Sequence, residues 1–337
     1  MKRFLKKLSI FSIPLLVLFA WYVYVMANIS GDLGTLGMIP FGRYEVGEKP
    51  DFIKYYDAFS IEEAQDAEIV VLGDSFTKKN VNSYMNYLGH ALGVKICHLY
   101  IDDNKINPCA AANLLIDNDL LPNCKVLVLE SVERHAIWRL RDCFNGGNLV
   151  FVEKSDDSPD KFSISKYLNL NNLSSLIKLS LNIDNPVRKL QLDGDYFTNK
   201  YSDKLYFYTS KTDGGGDLWY SKYDEASFEK ARSNLLRLRE KSIEKGIALY
   251  FVMPADKFDM YYDKIVDNPY PANPTFDYFS DIDNSWYVAG KQILTPPLED
   301  GVKDIYLVND THWSRIGAEI IGRHLARLIQ LQHGEER

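Results

Sequence analysis

Apolar and polar positions fall into three rhythms along the chain. The first is an unbroken apolar run. Residues 8–27 read LSIFSIPLLVLFAWYVYVMA without a charge, and Lys2, Arg3, Lys6 and Lys7 stand just before them. At 1.5 Å per residue such a run spans about 30 Å, the depth of a bilayer core. The pattern predicts a cytoplasmic basic tail (1–7), a single membrane anchor (8–27) and an extracytoplasmic remainder. Trp21, Tyr22 and Tyr24 fall near the outer end of the run, where an aromatic belt belongs. A cleavable leader ending at Val25-Met26-Ala27 is the other reading, and it sends the remainder to the same compartment.

The second rhythm is irregular. Residues 28–60 are rich in Gly and Pro and predict a stalk or cover. The third, over 61–332, alternates short β-branched runs with amphipathic stretches. Strands are predicted at 68–72, 94–101, 125–130, 247–253 and 304–308. Helices are predicted at 81–92, 110–116 with Pro108 just before, 225–245 closed by Gly246, 257–264, 285–293 and 314–330. Strand–helix alternation predicts an α/β fold, a three-layer sandwich around a mainly parallel sheet of about five strands. Two stretches break it and read as insertions. One is 145–224, with Asn145-Gly-Gly and Gly214-Gly-Gly turns; the other is 269–300, irregular over its first part to about 283.

Composition narrows the partners. Hydrophobic residues at 46% and charged residues at 25% support a buried core rather than disorder. A formal net charge of −7 excludes the basic surface that nucleic-acid binding needs. Four cysteines (Cys97, Cys109, Cys124, Cys143) permit three pairings outside the cytoplasm. None has metal-site spacing, and Cys97 and Cys124 are expected in or beside buried strands. No metal or bound cofactor is expected.

Two segments carry candidate chemistry. Gly73-Asp74-Ser75-Phe76 ends the first predicted strand, and Asp310-Thr311-His312-Trp313 ends the last. Both therefore fall at the carboxyl edge of a parallel sheet, where α/β active sites form. Ser75 is the candidate nucleophile and its own N–H a candidate oxyanion donor. His312 is the candidate base, and Asp310 the group that orients it. Taken singly, Ser75 and Asp310 are equally well read as helix caps and His312 as a structural histidine. The coincidence of the two segments at strand ends favours a site. Of the other histidines, His135 after the third strand is the remaining candidate, whereas His98 falls within a strand.

These residues resemble the SGNH-hydrolase superfamily, and more closely its alginate O-acetyltransferase-like branch. The Gly-Asp-Ser-Phe and Asp-Thr-His-Trp segments, the Gly317-Ala318 that follows, and Met253-Pro254-Ala255-Asp256-Lys257 with Tyr261 or Tyr262 carry the resemblance. Glu130 with Glu133-Arg134 resembles an acidic/Arg element of that branch. The segment order departs from the alginate enzymes, since Ser75 precedes His312 here. Glu130-Ser131 stands where esterases carry an oxyanion-donating Asn. The resemblance implies an SGNH/flavodoxin-like fold and transfer of acetyl groups to a polysaccharide outside the cytoplasm. It implies a multi-spanning membrane acyltransferase as acetyl supplier, with Arg134, Trp313 and Lys257 as accessory oxyanion or substrate groups. A carbohydrate esterase with the same triad, and a catalytically dead glycan-binding scaffold, are the alternatives.

Overall fold

A computed structural model describes residues 12–21, 33, 46, 50–77, 83–102, 105–152, 187–199, 201–209 and 216–334. Its centre is a six-stranded, wholly parallel sheet of β1 (Tyr55–Ala58), β2 (Ile69–Leu72), β3 (Ile96–Leu99), β4 (Val126–Glu130), β7 (Ala248–Met253) and β8 (Tyr287–Ala289). The strand order is β1-β3-β2-β4-β7-β8. Every residue of β2, β3 and β4 is buried. That is why these segments read as continuous apolar runs without alternation: helices cover both faces of a parallel sheet.

The helices follow from local signals. Ser83 caps α1 (Tyr84–Leu92), and Gly93, in the left-handed conformation, ends it. Asn107 caps α2 (Pro108–Asp117), with Pro108 at its first turn. Then come α3 (Glu133–Arg141), α4 (Glu225–Glu244, capped by Asp224), α5 (Gly290–Glu299) and α6 (Arg315–Gly334). The chain moves from β2 outward to β3 through α1, then back across β2 to β4 through α2. With right-handed crossovers these two helices lie on opposite faces. Accordingly α1 packs with α6, which also meets α5, while α2, α3 and α4 pack together. The reversal of direction at β2 opens a crevice at its carboxyl end, the place where Ser75 sits.

The structure departs from the pattern at three places. Residues 55–58, within the expected cover, form edge strand β1. The sixth strand is β8 at 287–289, where a helix was expected to begin; the helix starts only at Gly290. Residues 304–308 do not join the sheet. Tyr306 instead makes an isolated antiparallel bridge to Trp313, so this short apolar run closes a loop on itself. Within the first insertion β5 (Val187–Gln191) and β6 (Lys204–Tyr208) form an antiparallel hairpin. A single disulfide, Cys109–Cys143, ties the start of α2 to the end of α3, while Cys97 and Cys124 are free and buried.

Residues 12–21 are helical, and Ile13, Leu15, Leu16, Val17, Leu18, Phe19 and Trp21 are exposed. Among the described residues no helix is long and apolar enough to cross a membrane. The rest of the expected anchor lies outside the described residues.

Candidate active site

The nucleophile turn is built on a buried carboxyl pair. Strand β2 stops at Leu72, and Gly73 follows because no side chain fits there. A Cβ at that position would lie 2.5 Å from Glu130 Oε2 and 2.1 Å from Thr77 Oγ1. Glu130 Oε2, at the end of neighbouring β4, accepts the Asp74 N–H at 2.8 Å and the Thr77 hydroxyl at 2.7 Å. Asp74 Oδ1 accepts the Phe76 N–H at 3.1 Å. Its Oδ2 accepts from the Val132 N–H at 3.0 Å and from Arg139 Nη1 at 2.5 Å. Burial works against charge on Asp74, but Arg139, then His135 and the two N–H groups, hold its carboxyl well below the usual range. Glu130 goes the other way: burial and the neighbouring Asp74 charge push it well above. Folding thus drives two neighbouring carboxyls in opposite directions. The turn they brace leaves Ser75 exposed between buried Asp74 and Phe76. Among the described residues the Ser75 N–H has no hydrogen-bond partner.

The second wall is the loop that replaces the expected last strand. The Leu307 N–H donates to His312 O at 3.2 Å and the Asp310 N–H to Leu307 O at 3.4 Å, which turns 307–312 back on itself. Asp310 Oδ1 accepts the His312 backbone N–H at 3.0 Å and lies 2.5 Å from its Nδ1. His312 Nε2 lies 2.7 Å from Ser75 Oγ. A carboxylate at Nδ1 keeps the ring proton on that nitrogen and leaves the Nε2 lone pair for the serine hydroxyl. Both Asp310 and His312 are 3% exposed, so water scarcely competes for these bonds. The Phe76 ring sits 4.5 Å from the imidazole. The structure therefore brings Ser75, His312 and Asp310 into one hydrogen-bonded chain.

The three accessory candidates, Arg134, Lys257 and Trp313, are all buried. Lys257 is fully buried, and its ammonium donates to Leu307 O (2.7 Å), Val308 O (2.9 Å) and Asp310 O (3.1 Å). All three of its protons are engaged inside the protein. Trp313 is buried edge-on against Phe76, at 4.9 Å, and against Tyr84, at 6.0 Å, so it backs the site rather than walling a pocket. Arg134 pairs through Nη1 with Asp256 and lies 3.8 Å from Asp217 Oδ1, so that edge of the guanidinium is committed to carboxylates. Ser131, at the expected oxyanion position, is also buried and bonds Arg139 at 3.1 Å. His135 lies on α3 and accepts from Trp138 Nε1.

Arg139 and Asp217 were not singled out from the sequence. Arg139 lies inside α3, where its spacing is that of any helix-face arginine. Asp217 follows the glycine run and is buried near Arg134, Lys257 and His312, with nothing local to distinguish it from a loop residue. Among the described residues no group of three or more His, Cys, Asp or Glu could hold a metal ion.

A parallel α/β sheet flanked by helices, with a Ser–His–Asp chain at its carboxyl edge, is consistent with an SGNH/flavodoxin-like fold. Residues 214–337 match the family model of the SGNH hydrolase-like domain of acetyltransferase AlgX. The match supports the alginate O-acetyltransferase-like resemblance and, with it, a function of the acetyltransferase or esterase type. It includes Asp310 and His312 but not Ser75, whose place rests on geometry alone. No curated protein and no solved structure matches the chain.

Proposed function

We propose that the protein is an extracytoplasmic serine-dependent O-acetyltransferase acting on a polysaccharide, with Ser75 as nucleophile, His312 as base and Asp310 as its orienting group. The observation that carries this reading is the continuous chain from Asp310 Oδ1 through the imidazole to Ser75 Oγ, at 2.5 and 2.7 Å. In the first half-reaction Nε2 takes the Ser75 proton while Oγ attacks the acetyl carbonyl. The donor's leaving oxygen departs with that proton. In the second, a sugar hydroxyl yields its proton to Nε2 and attacks the acetyl-serine ester, and Ser75 Oγ recovers a proton from the imidazolium. The Ser75 N–H supports the oxyanion in both steps. No cofactor takes part in this scheme.

The compartment is supported by the Cys109–Cys143 bond, a chemistry of oxidising environments. The exposed apolar helix at 12–21, preceded by four basic residues, supports anchorage at the membrane. An anchored enzyme would receive acetyl groups from a multi-spanning membrane acyltransferase.

The test is to incubate the full chain, wild type and Ser75→Ala, with p-nitrophenyl acetate, with and without a mixture of oligosaccharides. The expected result is sugar that gains the mass of an acetyl group only with wild type. Ser75-dependent acetate release that sugars do not alter would make the protein a carbohydrate esterase. Equal behaviour of the two proteins would remove Ser75 from the mechanism and return the chain to a glycan-binding scaffold.

A further inference from the structure

Lys257 has a role that neither acyl donor nor acceptor explains. It opens the short helix Lys257–Met260, immediately after β7 and the turn Pro254-Ala255-Asp256. A lysine with no exposed surface pays heavily in hydration unless its ammonium is fully bonded. Here the three acceptors all belong to one segment, the loop 307–310 that carries the Asp310–His312 pair. That loop belongs to no sheet, and its own internal ties are long: 3.2 Å from Leu307 N to His312 O and 3.4 Å from Asp310 N to Leu307 O. The two shorter Lys257 bonds are tighter than either. The hairpin insertion closes the other side, since the Phe197 ring lies 5.6 Å from Lys257 Nζ. Burial pulls the Lys257 pKa down to about 7 against the opposing pull of the buried Asp310 and Asp217 carboxyls, so the ammonium form belongs to the acidic side of neutrality, where the base titrates.

We infer that Lys257 is a positioning residue for the triad: its ammonium pins the loop 307–310 to the end of β7 and balances the buried Asp310 charge. This inference rests on the triad reading above. Losing the ammonium removes three bonds to this loop and leaves it held by the Leu33 N–H to Asn309 O bond (3.1 Å) and by the Tyr306–Trp313 bridge at its base, so its Asp310 end shifts relative to Ser75. A displacement of about 1 Å between base and nucleophile costs on the order of 10²-fold in rate. Losing the positive charge has a second, independent effect. An uncompensated Asp310 carboxylate favours the imidazolium, so a higher pH is needed to free the base.

The test uses the full chain of wild type, Lys257→Met and Ser75→Ala, with p-nitrophenyl acetate as the probe, read as kcat and KM across pH 5–9. Lys257→Met is expected to lower kcat by about 10²-fold, to leave KM within about twofold, and to move the acidic limb of the profile upward by about one pH unit. A lowered kcat with an unmoved limb would overturn the inference, as would unchanged kcat. Where the methionine variant is unfolded by circular dichroism, Lys257→Gln replaces it. Its amide keeps two N–H donors for this group of carbonyls but lacks the charge, so the same upward shift is required. Unfolding of both variants would make Lys257 a requirement of the fold and would also overturn the inference. Failure of the triad reading looks different: Ser75→Ala would then keep wild-type turnover whatever the lysine variants do.

Discussion

Single side chains set the polarity of the Ser–His–Asp chain. Asp310 stands two residues before His312 and reaches its ring because the loop turns back on itself, so one carboxylate oxygen meets both the backbone N–H and Nδ1 of His312. Asp310→Asn keeps the size but presents an amide, which stabilises the tautomer with its proton on Nε2. That nitrogen then meets Ser75 as a donor, and the hydroxyl has no base. The expected loss in kcat is on the order of 10⁴, the cost of the equivalent change in serine proteases. Steady-state hydrolysis of p-nitrophenyl acetate reads it, and a loss below tenfold would point to another carboxylate as the orienting group.

The Ser75 turn is braced by two carboxyl groups whose pKa values folding drives in opposite directions, and this gives it a pH signature. Glu130 has a folded pKa raised above its unfolded value by burial and by Asp74. Its protonated form therefore belongs to the folded protein. The associated stability is complete below the unfolded value of about 4.3 and declines as pH rises toward the folded value. Asp74, held low, contributes in the opposite sense: its share is present above about 3.9 and is lost on acidification. Glu130→Gln mimics the neutral acid and keeps an oxygen for the Asp74 N–H and Thr77 hydroxyl. Urea unfolding should show this variant gaining at least about 1 kcal/mol over wild type at pH 8 relative to pH 5. Equal pH dependence of the two proteins would mean that Glu130 is ionised throughout. The helices α2 and α3 are joined by the Cys109–Cys143 bond across 34 residues. Removing both sulfurs, in the Cys109→Ala/Cys143→Ala variant, is expected to cost about 3 kcal/mol in the same experiment. No loss would show that the bond constrains little of the unfolded chain.

For the whole molecule, the sheet order explains how two short segments far apart in the chain become one site. The reversal at β2 exposes the end of that strand, and α6 returns over α1 to bring the preceding loop above it. The membrane question also belongs here. Leu33 is fully buried, and its N–H donates to Asn309 O at 3.1 Å, so chain beyond the N-terminal helix is tied to the loop that carries Asp310 and His312. Deleting residues 1–27 is expected to abolish co-sedimentation with phospholipid vesicles while leaving p-nitrophenyl acetate turnover within about twofold. Retained sedimentation would assign membrane affinity to another surface.

Much of this architecture was legible in local pattern because it depends on local physics. A parallel strand covered on both faces must be apolar throughout, so β2, β4 and β7 stood out, as did α4 and α6 with their caps and apolar stripes. The segments holding Ser75, Asp310 and His312 stood out as short turn motifs, and the fold brings the three side chains together, although only Ser75 follows a strand of the sheet. What sequence could not supply was anything defined by distant partners. Tyr55–Ala58 is a strand only because β3 lies beside it, and 304–308 is not one because Tyr306 pairs back onto Trp313 instead of joining the sheet. Lys257 and Trp313 stand in motifs that suggest accessory oxyanion or substrate groups. Their burial under the loop that carries Asp310 and His312 follows from packing across 50 residues and more of chain. The states of Asp74 and Glu130 likewise arise only once folding has set them beside each other and Arg139, because charge regulation depends on distance in space and not on separation along the chain.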